Sequence, residues 1–156
     1  MSRDRAADFP KSARLRTQRE FDRVHRLGLK IHARYFLARV ALRDSAPADR
    51  RSAEPLAADS RLGLRVAKRH GNAVQRNRIK RLLREGFRRV RRDWACAADV
   101  VLIPKTHSWD ALKLADLQDD FARLERQIRR LARETQAAPS QREPMDGAER
   151  EPSRQT

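Results

Sequence analysis

Cysteine is nearly absent from this sequence: Cys96 stands alone, so neither an internal disulfide nor a metal site of several cysteines can form. Aromatic residues make up only 5% of the chain, which argues against a binding surface built mainly on stacked bases. No apolar run approaches the roughly 20 residues of a membrane-spanning helix. The N-terminal segment lacks the apolar stretch of a secretory signal. We therefore expect a cytoplasmic protein of one domain, because 156 residues leave room for a modest core.

Acidic residues are also scarce relative to basic ones. The chain has 37 Lys and Arg against 21 Asp and Glu, so its formal net charge is +16. Such an excess favours nucleic acid or an anionic membrane surface as the partner. The sequence contains no recognisable Ser/His/Asp set, carboxylate pair in a plausible cleft, Cys/His cluster or phosphate-binding glycine loop. We expect a binding protein without catalytic side chains.

The segment 61–92 combines a strand pattern with a basic helix. Leu62, Leu64 and Val66 alternate as in a strand with one buried face. After a turn, Asn72 is a good N-cap, and Gln75 completes a capping-box pattern. The helix that follows has an apolar stripe formed by Ile79, Leu82, Leu83, Phe87 and Val90.

Basic residues occupy the other sides of this predicted helix, and Glu85 is the only acid among them. One row consists of Arg76, Lys80, Arg84, Arg88 and Arg91. A merely solvated helix face is usually laced with acid–base pairs, which are nearly missing here. Since bases spaced by four residues repel one another, the pattern favours binding to a polyanion.

The run GNAVQRNRIKRLLREGFR resembles the signature of the bacterial ribonuclease P protein subunit, whose hallmark RNR block is here Arg76-Asn77-Arg78. The resemblance extends back through RLGLRVAKR and, more loosely, over about residues 12–132. It implies an α+β fold, a small two-layer sandwich of a short mixed sheet and about three helices, like the second domain of ribosomal protein S5. Strand–helix–strand units are normally right-handed, but the resemblance implies a left-handed crossover.

The same resemblance implies the function. In this family the RNA subunit performs the phosphodiester hydrolysis with metal ions, so Mg²⁺ is expected through that RNA and no cofactor on protein side chains. The partners implied are the catalytic RNA and precursor tRNA, with no membrane and no obligate protein partner. The residues implied to bind the RNA subunit are Lys68, Arg69, Asn72, Arg76, Asn77, Arg78, Lys80, Arg81, Arg84 and Arg88. They would contact phosphates and shape more than base sequence.

A separate cleft for the single-stranded 5′ leader of precursor tRNA is also implied, lined by Phe21, His25 and Arg39. Taken alone, Phe21 fits a core position better than a binding cleft, because phenylalanine is usually buried. His25 stands where the family commonly has an aromatic residue, and an imidazole can still stack or hydrogen-bond. Arg39 stands where the family often has a tyrosine, so phosphate attraction or guanidinium stacking would replace aromatic stacking.

Local patterns predict the remaining elements. A capping box at Thr17 and Glu20 begins a short helix that ends at Gly28. Strands are predicted at 35–42, 61–68 and 99–103, the last ended by Pro104. Ser108 is predicted to cap a final helix with Leu112, Leu117, Phe121, Leu124, Ile128 and Leu131 in its core stripe. We expect an arm over 1–16, a domain over 17–135 with a mobile loop at 44–60, and a disordered tail over 136–156.

Three other functions stay open on the residues alone. A ribosomal or other structural RNA-binding protein would share the charge and the α+β body but take no part in tRNA processing. A DNA-binding module is disfavoured because the basic helix follows a strand rather than another helix. An autonomous nuclease is the weakest alternative because the acids are missing.

Overall fold

Three helices and a four-stranded sheet make up the part of the chain that the computed structural model describes, which is residues 11–43, 60–91, 94, 96–106 and 108–137. In chain order they are α1 (Gln18–Leu27), β1 (Leu29–His32), β2 (Phe36–Leu42), β3 (Arg61–Leu64), α2 (Ala73–Val90), β4 (Ala98–Pro104) and α3 (Gln118–Ala137). Of the predicted arm, loop and tail, residues 1–10, 44–59 and 138–156 lie outside the described residues.

The sheet is mixed, with strand order β1-β2-β4-β3. Strands β1 and β2, like β2 and β4, pair antiparallel, whereas β3 and β4 are parallel. Because parallel neighbours need a crossover connection, α2 has to cross one face of the sheet between β3 and β4. The α+β class, the mixed sheet and the three helices are confirmed. The left-handed sense of the crossover stays a prediction.

One face of the sheet carries the main core under α2 and α3. Phe36 from β2 meets Phe121 from α3 with ring centroids 5.1 Å apart. Gly86 in α2 is required here because a Cβ at that position would collide with the Phe121 ring. The predicted apolar stripes of both helices supply this core, including Ile79, Leu83, Phe87, Leu117, Leu124 and Ile128.

The opposite face carries α1 and a smaller core. Val24 of α1 is fully buried against Leu15, Ala41 and Val101, and Phe21 packs beside them. The end of the predicted arm is fixed here, because the Leu15 backbone N–H donates to the Leu62 carbonyl over 2.9 Å. Helix α1 therefore packs on this face of the sheet, and a groove lies along one side of the helix.

Strand β1 was not predicted. Only Ile31 of its four residues is buried, and the exposed Leu29, Lys30 and His32 hide the alternation that would have revealed it. Strand β1 lies at the edge of the sheet, where a strand can pair with one neighbour although most of its side chains are exposed.

Two predicted boundaries are wrong. Strand β3 ends at Leu64 instead of Lys68, because the chain turns there toward the short 3-10 helix Lys68–His70. Helix α3 begins at Gln118, and Ser108 instead precedes a 3-10 helix, Trp109–Ala111, without donating or accepting a capping hydrogen bond through its side chain. Leu112 and Leu117 therefore lie before α3, although Leu117 is still part of the main core and Leu112 packs against it.

Candidate nucleic-acid interface

Helix α2 begins with the predicted capping box. The side-chain oxygen of Asn72 accepts a hydrogen bond from the Gln75 backbone N–H, and the Gln75 side chain accepts one from Asn72 N–H, both at 2.9 Å. Two otherwise unpaired N–H groups are satisfied, which fixes the first turn and the sides on which the basic residues emerge. The side-chain oxygen of Asn72, a predicted RNA-binding residue, is thus occupied by the helix start.

The RNR block divides into three environments. Asn77 is exposed and lines a shallow depression with Val74, Arg78 and Arg81. Arg76 is half-buried, and its Nε has no hydrogen-bond partner among the described residues. The two Nη atoms of Arg78 donate instead to the carbonyls of Trp109 and Leu112, over 2.7 and 3.0 Å. Arg78 thereby holds the 3-10 helix Trp109–Ala111 against α2.

The last turns of α2 are partly neutralised. Arg88 grips Glu85 with two hydrogen bonds of 2.6 and 3.0 Å, and Arg89 adds a third. These arginines hold the pKa of Glu85 at about 2, so the carboxylate stays charged at neutral pH. Uncompensated positive charge therefore concentrates in the first half of α2 and in the exposed Lys68 and Arg69 before it.

A second cationic feature, the arginine pocket, lies between α2 and the end of the arm. It is lined by Arg14, Leu15, Phe21, Leu62, Leu64, Lys80 and Arg84, and its volume is about 140 Å³. That space holds several waters or one phosphate group. Burial and then the neighbouring Arg14 cation lower the pKa of Arg84, which shows that like charges crowd here. The side chains that line this pocket include no carboxylate.

The α1 groove runs along the other side of Phe21. It is lined by Phe21, His25, Arg39, Arg65, Val101 and Ile103. The three residues predicted for the leader cleft therefore come together on one surface. Phe21 serves the small core as well as the groove, so both sequence interpretations of this residue fit its position. His25 is exposed, and Arg39 donates from Nη1 to the His25 backbone carbonyl over 2.7 Å.

Arg65 is the residue of this groove that the sequence reasoning missed. Its guanidinium carbon lies over the Phe21 ring, 5.7 Å from the ring centroid. The signal was present in the alternation of β3: if Leu62 and Leu64 face the main core, Arg61, Gly63 and Arg65 face α1. Gly63 matters as well, because a Cβ there would lie 2.7 Å from the Phe21 ring.

An ion network beneath α1 holds the groove in shape. Arg61 donates to both oxygens of the buried Asp99 carboxylate, over 2.9 and 2.8 Å, and to Glu20 over 2.8 Å. Backbone N–H groups of Thr17 and Arg16, together with the Arg61 cation, hold the pKa of Glu20 at about 2. The network joins the N-terminus of α1 to β3 and β4 and so sets the height of α1 above the sheet.

Both surfaces place cationic donors beside apolar side chains. No three His, Cys, Asp or Glu side chains cluster as metal ligands in the described part of the chain. None of the helices described there is long and apolar enough to cross a membrane.

Comparison with known proteins agrees with this architecture. The sequence model of the family described as Ribonuclease P matches residues 9–136. The chain belongs to the Ribonuclease P family. It is 34% identical over 129 residues to the Ribonuclease P protein component of Desulfovibrio desulfuricans, covering 80% of this chain and 87% of that protein.

Solved structures of Ribonuclease P proteins share the fold. The protein from Thermotoga maritima superposes with a TM-score of 0.58 at 25% identity, over 74% of this chain and 96% of that one. The Staphylococcus aureus protein gives 0.56 at 25% identity, over 78% and 96%. The matched residues 9–136 include helix α2 and the residues that line the α1 groove.

Proposed function

We propose that this chain is the protein subunit of ribonuclease P, and that it binds both the catalytic RNA and the 5′ leader of precursor tRNA. It would thereby assist the endonucleolytic removal of the leader that produces the mature 5′ end. The observation that carries the proposal is the presence of two cationic surfaces of different shape. One consists of the first half of α2 and the arginine pocket, and the other is the α1 groove. The two surfaces meet at Phe21.

The α2 surface suits a folded RNA. It presents Arg76, Lys80, Arg81 and Arg84 on neighbouring turns, together with Lys68 and Arg69 before the helix. Such a convex array neutralises several phosphates at once but reads little base identity, because A-form grooves display few base edges to side chains.

The α1 groove suits a single strand. The partly buried Ile103 can offer apolar surface to sugars and bases, while Arg39 brings positive charge to the same groove. Helix α1 bounds it on one side, and residues of β2 and β4 together with Arg65 bound it on the other. These properties favour the leader of precursor tRNA as the occupant.

Hydrolysis is assigned to the RNA subunit, which would supply the Mg²⁺ sites. The protein would contribute binding energy toward the leader and screening of RNA phosphates, both of which position the scissile bond in the RNA active site. No side chain of this chain is given a catalytic role.

The decisive experiment is a cleavage assay on precursor tRNA with the RNA subunit and the protein each omitted in turn, at near-physiological Mg²⁺. We expect rapid cleavage only with both present and none with the protein alone. Equal rates with and without the protein would identify the chain as a structural RNA-binding protein instead. Cleavage by the protein alone would overturn the assignment of hydrolysis to the RNA.

A further inference from the structure

The guanidinium of Arg65 is the least committed cation of the α1 groove. Arg39 is held by the His25 carbonyl, and Arg61, two residues before Arg65, is fixed by Asp99 and Glu20. Arg65 is exposed, and the contact that positions it is with the face of the Phe21 ring. No hydrogen bond joins its side-chain N–H donors to a protein acceptor in the part of the chain described here.

The cation–π contact with Phe21 restricts the guanidinium without consuming its hydrogen-bond donors. An arginine already positioned over an aromatic ring loses less side-chain entropy when it binds, and its planar fork matches the two free oxygens of a phosphodiester. The side chains that line the groove include no carboxylate to compete for it. An anionic ligand is therefore the partner that this arrangement fits.

We propose that Arg65 holds one leader phosphate, and that this chain binds the leader through backbone charge more than through stacked bases. The inference rests on the proposed function and adds to it a residue and a mode of recognition. Phe21 supports the guanidinium from below, while Gly63 gives the ring room to lie on β3. Leader affinity should therefore depend on salt and on leader length across the groove, but little on base identity.

The first test compares the reconstituted holoenzyme with its Arg65→Gln variant. Dissociation constants are measured for precursor tRNA with a leader of a few nucleotides and for mature tRNA. We expect Arg65→Gln to weaken the binding of leader-bearing tRNA by about tenfold, which is the effect of losing one pair of charge-assisted hydrogen bonds. The affinity for mature tRNA should be unchanged. Arg126→Gln, which removes an exposed charge from α3, is the matched control and should change neither constant.

The second test asks which leader atom Arg65 meets. Each leader phosphate is replaced in turn by a neutral methylphosphonate, and the loss of affinity is compared between wild type and Arg65→Gln. Replacement of one particular phosphate should weaken binding to the wild-type holoenzyme but not to the variant. That result is expected when Arg65 contacts this phosphate directly. Arg65→Lys should recover part of the affinity, because it restores the charge without the planar fork.

Two outcomes overturn the inference while leaving the proposed function intact. Equal losses for leader-bearing and mature tRNA would place Arg65 on a general RNA surface. Identical methylphosphonate profiles in wild type and variant would remove it from the leader backbone. By contrast, a wild-type holoenzyme that fails to distinguish the two tRNAs would contradict the leader-binding function itself.

Discussion

At the scale of single residues, identical side chains in the RNR block perform different tasks. The Nε atom of Arg76 has no hydrogen-bond partner among the described residues, whereas the two Nη atoms of Arg78 donate to the carbonyls of Trp109 and Leu112. The sequence shows only two arginines separated by one asparagine. Their division of labour depends on where the chain returns some thirty residues later, which no local pattern reveals.

This division predicts opposite phenotypes for two alanine substitutions. Arg76→Ala should weaken RNA-subunit binding and reduce the log–log salt slope by about 0.7 to 0.9, without changing the melting temperature. Arg78→Ala should lower stability by roughly 1–3 kcal/mol, because two carbonyls lose a charged donor. Binding titrations at several salt concentrations and thermal melts measure both effects, with Arg126→Ala as control. Normal RNA binding by a folded Arg76→Ala protein would remove that residue from the interface.

Arg39 also carries a structural duty. Its hydrogen bond to the His25 carbonyl caps the last turn of α1. We therefore expect Arg39→Ala to reduce both the preference for leader-bearing tRNA and the melting temperature, whereas Arg65→Gln should reduce only the preference. The readouts are the ratio of dissociation constants for the two tRNAs and a thermal melt. If Arg39→Ala keeps the wild-type ratio of dissociation constants, the Arg39 guanidinium stabilises α1 and does not contact the leader.

At the scale of elements, α1 depends on a carboxylate with an unusual titration. The folded pKa of Glu20 is about 2, below its ordinary value of 4.5. Its stabilising effect is therefore fully present above about pH 4.5 and is lost as the pH falls toward 2. We expect Glu20→Gln to cost about 1 kcal/mol at neutral pH, since solvent screens this partly exposed group.

The measurement is the free energy of unfolding by urea for both proteins at pH values from 7 to 3. The gap between them should narrow below pH 4.5 as wild type loses the advantage of the ionised group. A constant gap across that range would show that Glu20 acts through packing or neutral hydrogen bonds, not through its charge.

Elements with local causes were predicted well, and those with distant causes were not. Both capping boxes, at Thr17 and at Asn72, are confirmed because all their atoms lie within one helical turn. The start of α3 was misplaced because Trp109 is buried and draws the chain into two 3-10 helices first. The partnership of Asp99 with Arg61 joins separate strands, so the apolar run around Asp99 gave no sign of it.

The α1 groove shows the same limit. Phe21, His25 and Arg39 were named from the resemblance, and their meeting in space required the packing of α1 on β2. Arg65 could have been read from strand alternation, but only after deciding which face of β3 the helix covers. Whether these residues bind the leader stays a prediction.

At the scale of the whole molecule, positive charge belongs to the body and not to the C-terminal end. The segment after Ala138 has three arginines against four acids, and α3 is complete at Ala137. We expect a chain ending at Ala138 to keep its melting temperature and its support of precursor tRNA cleavage. A large loss of either property would show that residues 139–156 bind the body or the RNA.

The shared position of Phe21 has a consequence for the assembled particle. Its ring forms part of the wall of both the α1 groove and the arginine pocket, so a shift caused by an occupant on one side changes the shape of the other. Thermodynamic linkage then requires reciprocity: the factor by which a leader tightens the hold of the protein on the catalytic RNA equals the factor by which that RNA tightens the hold on the leader. If Phe21 is replaced with leucine, both factors should move toward one by the same amount, so that leader and catalytic RNA no longer tighten each other's binding.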